Sequence, residues 1–319
     1  MTDIITGLLG SGRRQLWRRD LTAGIFDGIN SIVSSPLGYV AVGDIRSTDL
    51  SASGDYAVSA NGEEWSLRNI PSLLTNLRAI ATNGSVFVAV TAGINPANIW
   101  RSTDLVTWTG VIPSTQFLLD IAWGNGVFVA VGSHGHCYRS LDGITWVRTH
   151  EFVVVGAPNN LRRVRFLNGL FVAVGIPNRI LTSPDGLTWT TRTVGLGEIS
   201  DIAWSGERWF ASYPRDFNST NWGRYASSTD LVTWVEHSIP AIVVRQDLTF
   251  SIKHTPRGLF ILGSNIEART SSLFVSQNGE PDSWSEERVD LQLDGLQGRI
   301  EFFGNRIFLL GQSLFTRVF

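Results

Sequence analysis

The chain has one cysteine among its 319 residues, Cys137, so no intrachain disulfide can form. It has one lysine, Lys253, and one methionine; every other basic side chain outside histidine is Arg. The formal net charge of −2 leaves no electrostatic footprint for nucleic acid or an anionic membrane. No run approaches the ~18 apolar residues of a bilayer span, so a soluble chain without membrane insertion is expected. Residues 1–12 lack the basic start and apolar core of a signal peptide, which fits synthesis in the cytoplasm without one. No segment has a helical hydrophobic period. Nucleophile elbow, phosphate loop, metalloprotease motif and nucleotide fingerprint are also missing, so no cofactor is expected. With 43% hydrophobic and 17% charged residues, the composition is that of a packed core rather than a disordered chain.

What the sequence does have is repetition. Seven of its twelve Trp, at 17, 65, 108, 146, 189, 234 and 284, recur about every 44 residues, the period of a four-stranded propeller blade. A polar turn precedes six of them: Ser59 to Gly62, Ser102 to Leu105, Ser140 to Gly143, Ser183 to Gly186, Ser228 to Leu231 and Ser276 to Gly279. Asp or Asn followed by Gly suits a tight hairpin, since both tolerate positive φ. A short apolar run also recurs, as Tyr39 to Gly43, Phe87 to Val90, Phe128 to Gly132, Phe171 to Gly175, Trp209 to Ser212, Phe260 to Gly263 and Phe308 to Gly311. Such runs suit strands covered on both faces.

Each unit therefore reads as four strands: a mixed strand a, the apolar strand b, strand c ending at Ser-x-Asp or its variant, and strand d beginning at Trp. The seventh unit stops after c, and its d strand is found at the other end of the chain, in Arg14 to Arg19. The expected fold is all-β, a seven-bladed β-propeller of antiparallel blades, with residues 14–20 pairing against 312–319 to close it. Residues 1–12 form an N-terminal tail and 13–319 the single propeller domain.

The runs Ser140 to Trp146 and Ser183 to Trp189 read S-x-D-G-x-T-W. They resemble the Asp-box, or bacterial neuraminidase repeat, whose pattern is S-x-D-x-G-x-T-W. The resemblance implies a propeller in which the box is a folding element on the face away from ligand. Similar repeats occur in bacteriophage tail and baseplate proteins, photosystem assembly factors and sialidases. A sialidase would need six blades, an Arg-Ile-Pro motif, three Arg on the substrate carboxylate and a Tyr–Glu pair. Here there are seven units, and the nearest string is Arg68-Asn69-Ile70-Pro71.

Eleven Trp fit blade-core slots, and those at 65, 108, 146, 189, 234 and 284 are expected to be largely buried. Trp222 breaks the pattern, in a polar segment between Tyr213 and Arg224 that includes Arg215, Asp216, Asn218 and Asn221. Those seven residues are the candidate ligand site, because a loop Trp among Asn, Asp and Arg can stack on a sugar or a partner's side chain; its alternative is a Trp folded over its own loop. His134-Gly135-His136-Cys137 lacks the spacing of a zinc site, and Cys137 aligns with Ile99 and Leu181 as a strand residue, so no metal is expected. Arg162, Arg163 and Arg165 stand where other units have Asp120 or Asp201; they are expected to pair with those Asp or to line a central channel.

Alternating strands put the a–b and c–d turns at one end and the b–c loops at the other. The first set is short and repetitive, while the b–c segments are long in units one, two, five and six. Diverse polar loops opposite scaffold turns suggest a binding face. With the resemblance, this implies a non-enzymatic binding or structural module of a virion tail or baseplate, present in multiple symmetric copies. It would recognise a host surface glycan or protein and contact other virion structural proteins through residues 2–12. The alternatives are a sialidase-like glycan hydrolase and a cellular assembly factor.

Overall fold

The computed structural model describes residues 4–6, 16–21, 28–44, 55–70, 73, 75–93, 98–113, 116–151, 159–175, 178–213, 224–239, 247–265, 270–289, 298–311 and 314–318. Among these the helical turns are two short 3-10 turns, Ser133–Gly135 and Pro281–Ser283. The strands fall into seven antiparallel sheets. The chain is a seven-bladed β-propeller, with blades one to six spanning residues 28–69, 77–111, 118–150, 163–193, 201–238 and 247–289. Blade three shows the pattern: a is Leu118–Gly124, b Val127–Gly132, c Cys137–Ser140 and d Val147–His150.

The seventh blade takes strands a to c from Arg299–Phe303, Arg306–Leu310 and Leu314–Val318. Its d strand is β2, Leu16–Leu21, which pairs with Leu314–Val318 through Arg18↔Thr316 and Arg19↔Phe315. The split blade is thus completed as the sequence implies. Beyond β2 lies a fifth strand, β1, Ile4–Thr6, in the register Ile4↔Arg18, Ile5↔Trp17, Thr6↔Leu16. The rest of segment 1–12 lies outside the described residues. The chain divides into two compact units, one of residues 24–193 and one of residues 1–23 with 194–319.

In the first unit, each b strand sits between its neighbours with both faces covered. Phe128, Val129, Ala130 and Val131 are all fully buried. The Gly that closes the run has a steric reason: a Cβ on Gly132 would lie 2.0 Å from the Phe117 carbonyl oxygen, and one on Gly43 would lie 2.0 Å from that of Gly28. Strand a is kinked near this approach. Its register slips between Ile29 and Ser31, Leu77 and Ala79, and Leu118 and Asp120. Such a bulge re-aims the next side chain. Ser31 Oγ accepts the Ile80 N–H at 3.4 Å, and Asp120 Oδ2 accepts the Val164 N–H at 3.0 Å. In the second unit the slip recurs between Thr249 and Ser251, where Ser251 Oγ accepts the Ile300 N–H at 3.2 Å and donates to Asp201 Oδ2 at 2.7 Å. Blades one, three and six are each tied in this way, by one oxygen-bearing side chain, to the next inner strand. Arg163 is buried one position before Val164, and Arg162 is exposed.

The closing Trp at 65, 108, 146, 189, 234 and 284 are half-buried, less than the sequence pattern suggests. Each stands at the start of an outer strand, so its ring covers the blade core on one side only. Trp108 packs on the cluster of Tyr56, Ile70 and Leu105, Trp146 on that of Phe128 and Tyr138, and Trp284 on that of Phe210 and Tyr225. Trp100 and Trp209, in strands c and b, are buried. Cys137 is fully buried as well; its slot matches Ile99 and Ile180, because Leu181 faces Ala173 as Tyr138 faces Ala130.

The c–d turns are not two-residue hairpins, and in them the Asp does not take a positive φ. In blade three Asp142 Oδ1 accepts the N–H groups of Ile144 and Thr145, both at 2.8 Å, and the Ser140 hydroxyl at 3.0 Å. Ser140 Oγ in turn accepts the Gly143 N–H at 2.8 Å. Only the next residue is left-handed: Gly62, Gly143, Gly186 and Gly279, or Leu105 and Leu231, at φ between 56° and 77°. A Cβ on Gly143 would meet Val88 of the preceding blade at 2.8 Å. Leu105 fills the equivalent space with its own side chain, buried beside Tyr56.

Candidate binding site at the b–c end of blade five

Strand order within each blade fixes what can be a site. The a–b and c–d turns are occupied by their own hydrogen bonds. Asn125-Gly126 and Asn168-Gly169 take consecutive positive φ as tight hairpins do. The Asp carboxylates are held low by the backbone N–H groups they accept, Asp104 and Asp230 at about 2. The c–d turns also receive the preceding blade: Arg101 Nε donates to the Asp142 carbonyl at 3.0 Å, Arg139 Nε to that of Asp185 at 2.9 Å, and Tyr225 to that of Gly279 at 2.7 Å. This end of the blades is scaffold.

At the other end of blade five, strand b finishes at Tyr213 and strand c begins at Arg224, the two residues facing each other in register. Both reach Glu236 on strand d: the Tyr213 hydroxyl donates to Glu236 Oε2 at 2.8 Å, and Arg224 Nη1 pairs with the same oxygen at 2.6 Å. Burial, and then the carboxylate beside it, push the Tyr213 phenol well above its ordinary value, so it stays a donor at any physiological pH. Tyr213 is 6% exposed, whereas the Glu236 side chain keeps 47% of its surface. The result is a rigid floor with a partly open carboxylate. The structure thus brings together Tyr213 and Arg224 of the expected site. Arg215, Asp216, Asn218, Asn221 and Trp222 lie outside the described residues. Glu236 was not legible as a member, although its place on strand d, diagonal to Arg224, follows once the c–d register is known.

Blade three offers a second polar cluster at its b–c end. His136 Nε2 lies 3.5 Å from Glu151 Oε2, and its Nδ1 lies 3.4 Å from the Tyr138 hydroxyl. Glu151 also pairs with Arg148 at 3.0 Å, and His150 Nδ1 lies 3.1 Å from the Gly135 carbonyl. Burial, helped by Arg148 and opposed by Glu151, holds the His136 imidazole below its ordinary value. His134 is exposed and left-handed at φ 59°, its ring 6.1 Å from that of His136. Among the described residues, no group of His, Cys, Asp and Glu is arranged to hold a metal ion. Burial raises the Cys137 thiol far above its usual range, which makes it inert.

One further pair has the look of a nucleophilic dyad, Ser227 Oγ and His237 Nε2 at 2.8 Å. Blade four makes the same cross-strand link between Thr182 and Arg192, and His237 is stacked on Tyr225 at 4.8 Å. The pair is part of the blade's packing.

No protein-family model matches the chain, and no curated protein matches it in sequence. Solved structures match its fold. YCF48 bound to a D1 peptide is 18% identical over 98% of this chain and 97% of its own, with a TM-score of 0.66. YCF48 from Cyanidioschyzon merolae is 16% identical over 95% and 98%, at 0.64. Virginiamycin B lyase from Staphylococcus aureus is 12% identical over 94% and 98%, at 0.69, and one of its structures is a catalytically inactive histidine-to-alanine variant with quinupristin. At these identities the likeness is one of fold, and it joins a peptide-binding propeller and an enzyme.

Proposed function

We propose that the chain is a non-enzymatic recognition module whose ligand sits on the b–c face, centred on blade five. The observation that supports this most is the Tyr213–Glu236–Arg224 floor. It fixes both ends of the segment that carries Trp222, on the opposite end of the blade from the saturated scaffold turns. An open carboxylate and a guanidinium suit the hydroxyl groups of a sugar or a polar peptide segment, and Trp222, in the sequence between Tyr213 and Arg224, would supply a stacking surface. That YCF48 has been seen with a peptide supports the general idea of a propeller of this fold as a protein-binding surface.

The finer reading is a virion tail or baseplate component that attaches to a host surface glycan or protein. It rests on the repeat resemblance and on the separation of a scaffold end from a variable end. Binding of the purified protein to a glycan array and to whole bacterial cells tests it. Trp222→Ala and Arg224→Ala should abolish the signal without unfolding the protein. Cell and glycan binding that survives both substitutions refutes it.

A second reading is enzymatic, because the lyase shares the fold and loses activity with one histidine. In this chain His136, held between Glu151 and Tyr138, is a histidine set in a polar cluster where proton transfer would be possible. Turnover of a captured ligand that His136→Ala abolishes would favour this reading over simple binding.

A further inference from the structure

We propose that β1 and the outer edge of β2 form a strand-exchange joint, in which β1 of one copy pairs with β2 of a second copy of this chain. The closing sheet has five strands where the other six have four. Its extra strand occupies the backbone edge that an outer strand otherwise presents. The pairing is antiparallel and fixed in register, Ile4↔Arg18, Ile5↔Trp17 and Thr6↔Leu16.

Two features decouple that pairing from chain continuity. Antiparallel neighbours held in cis are normally joined by ~2–5 residues, whose turn geometry locks them together. Here the link runs from Gly7 to Gln15 and includes Gly7, Gly10, Ser11 and Gly12. Such a link spans roughly 30 Å when extended. Its length and glycine content exceed what a tight hairpin needs, so the same register can form between chains with every backbone hydrogen bond kept.

The occupant follows from the edge itself. A segment of this sequence already fits it, with β-branched Ile4 and Ile5 at paired positions, so every copy carries both halves of the joint. Three paired residues are a weak contact alone. Reciprocal exchange makes two such contacts at once, and the second forms at the high effective concentration set by the first. Multiple copies would then display several b–c faces together. The joint itself does not depend on what those faces bind.

The test uses two full-length single variants, Ile4→Cys and Arg18→Cys, co-expressed and then oxidised with diamide. Native Cys137 is fully buried and does not compete. The expected result is a disulfide-linked heterodimer at about twice the 35.1 kDa chain mass, formed only by the mixture and lost on reduction. A chain carrying both substitutions is the control for the register. If it bridges internally while the mixture stays monomeric, exchange is refuted. If neither bridges, or if Cys at 18 captures only a different protein of the expressing cell, the joint is refuted too. Cell binding measured on the same samples reads the b–c face separately, so a failed joint leaves the proposed function standing and a failed ligand leaves the joint standing.

Discussion

Substituting Asp142 separates two accounts of the repeated turn, one based on charge and one on acceptor geometry. In the folded chain Asp142 Oδ1 accepts from the Ile144 and Thr145 N–H groups at 2.8 Å and from the Ser140 hydroxyl at 3.0 Å. Asp142→Ala removes that acceptor. A net contribution of about 0.5–1.5 kcal/mol per bond, with water able to replace part of it at this exposed turn, gives a loss of about 1–2 kcal/mol. Asp142→Asn keeps an oxygen in place and should cost less than about 0.5 kcal/mol. The chain makes the same exchange in blades one and six: Asn61 Oδ1 accepts from Glu63 and Glu64 at 2.9 and 3.0 Å, and Asn278 Oδ1 accepts from Glu280 at 3.0 Å. The assay is urea unfolding followed by Trp fluorescence, with midpoint and slope compared across the three proteins. The folded-state pKa of Asp142 lies below its ordinary value because of those backbone N–H groups. Its contribution is therefore fully present above about pH 4 and is lost as pH falls through the folded value. The gap between wild type and Asp142→Ala should narrow in acid. If Asn proves as damaging as Ala, or Ala costs nothing, the acceptor account of the turn is wrong.

Deleting residues 312–319 removes the strand that pairs with β2 and should destabilise the closing blade and everything that depends on it; a truncated chain with unchanged thermal unfolding would contradict the closure. Trp146→Ala should cost about 3 kcal/mol, since a half-buried indole covers roughly 100 Å² of apolar surface and its Nε1–H bond to the Gly143 carbonyl, at 3.1 Å, is also lost. A loss under about 1 kcal/mol would mean that the ring does not cap its blade. Asp201→Ala should cost about 2–4 kcal/mol, because it strands the buried Ile202 and Ile252 N–H groups and the Ser251 hydroxyl; Asp201→Asn should recover most of that in the same urea assay, and equal losses would refute the role given to its oxygens.

The blades were legible because their strongest signals are local. The apolar b run, the Trp that opens d and the Ser–Asp turn each depend on neighbours within a few residues, and their spacing supplied the count and the split seventh blade. Side-chain roles set by neighbouring blades were not legible. Nothing near Asp120 in sequence announces that its carboxylate accepts an N–H from Val164. The half-burial of Trp146 follows from its place at the start of the outer strand, where its ring covers the blade core on one side only. At the candidate site, Tyr213 and Arg224 were found by bracketing an unusual loop. Glu236 was missed because it sits on a strand whose pattern is ordinary, and only the c–d register brings it to Tyr213 and Arg224.

The central claim is that recognition belongs to the b–c end of blade five and scaffold to the c–d end. The most direct measurement compares cell or glycan binding for Trp222→Ala and Arg224→Ala with that for Ile144→Ser and Leu187→Ser. The latter two side chains are 51% and 54% exposed on the c–d turns, and their loss should leave folding intact. Losing a central aromatic or Arg contact should weaken binding by roughly tenfold or more, while the turn variants stay within about twofold of wild type. Unaltered binding in the blade-five variants together with loss in the turn variants would place the ligand on the opposite face and contradict the account.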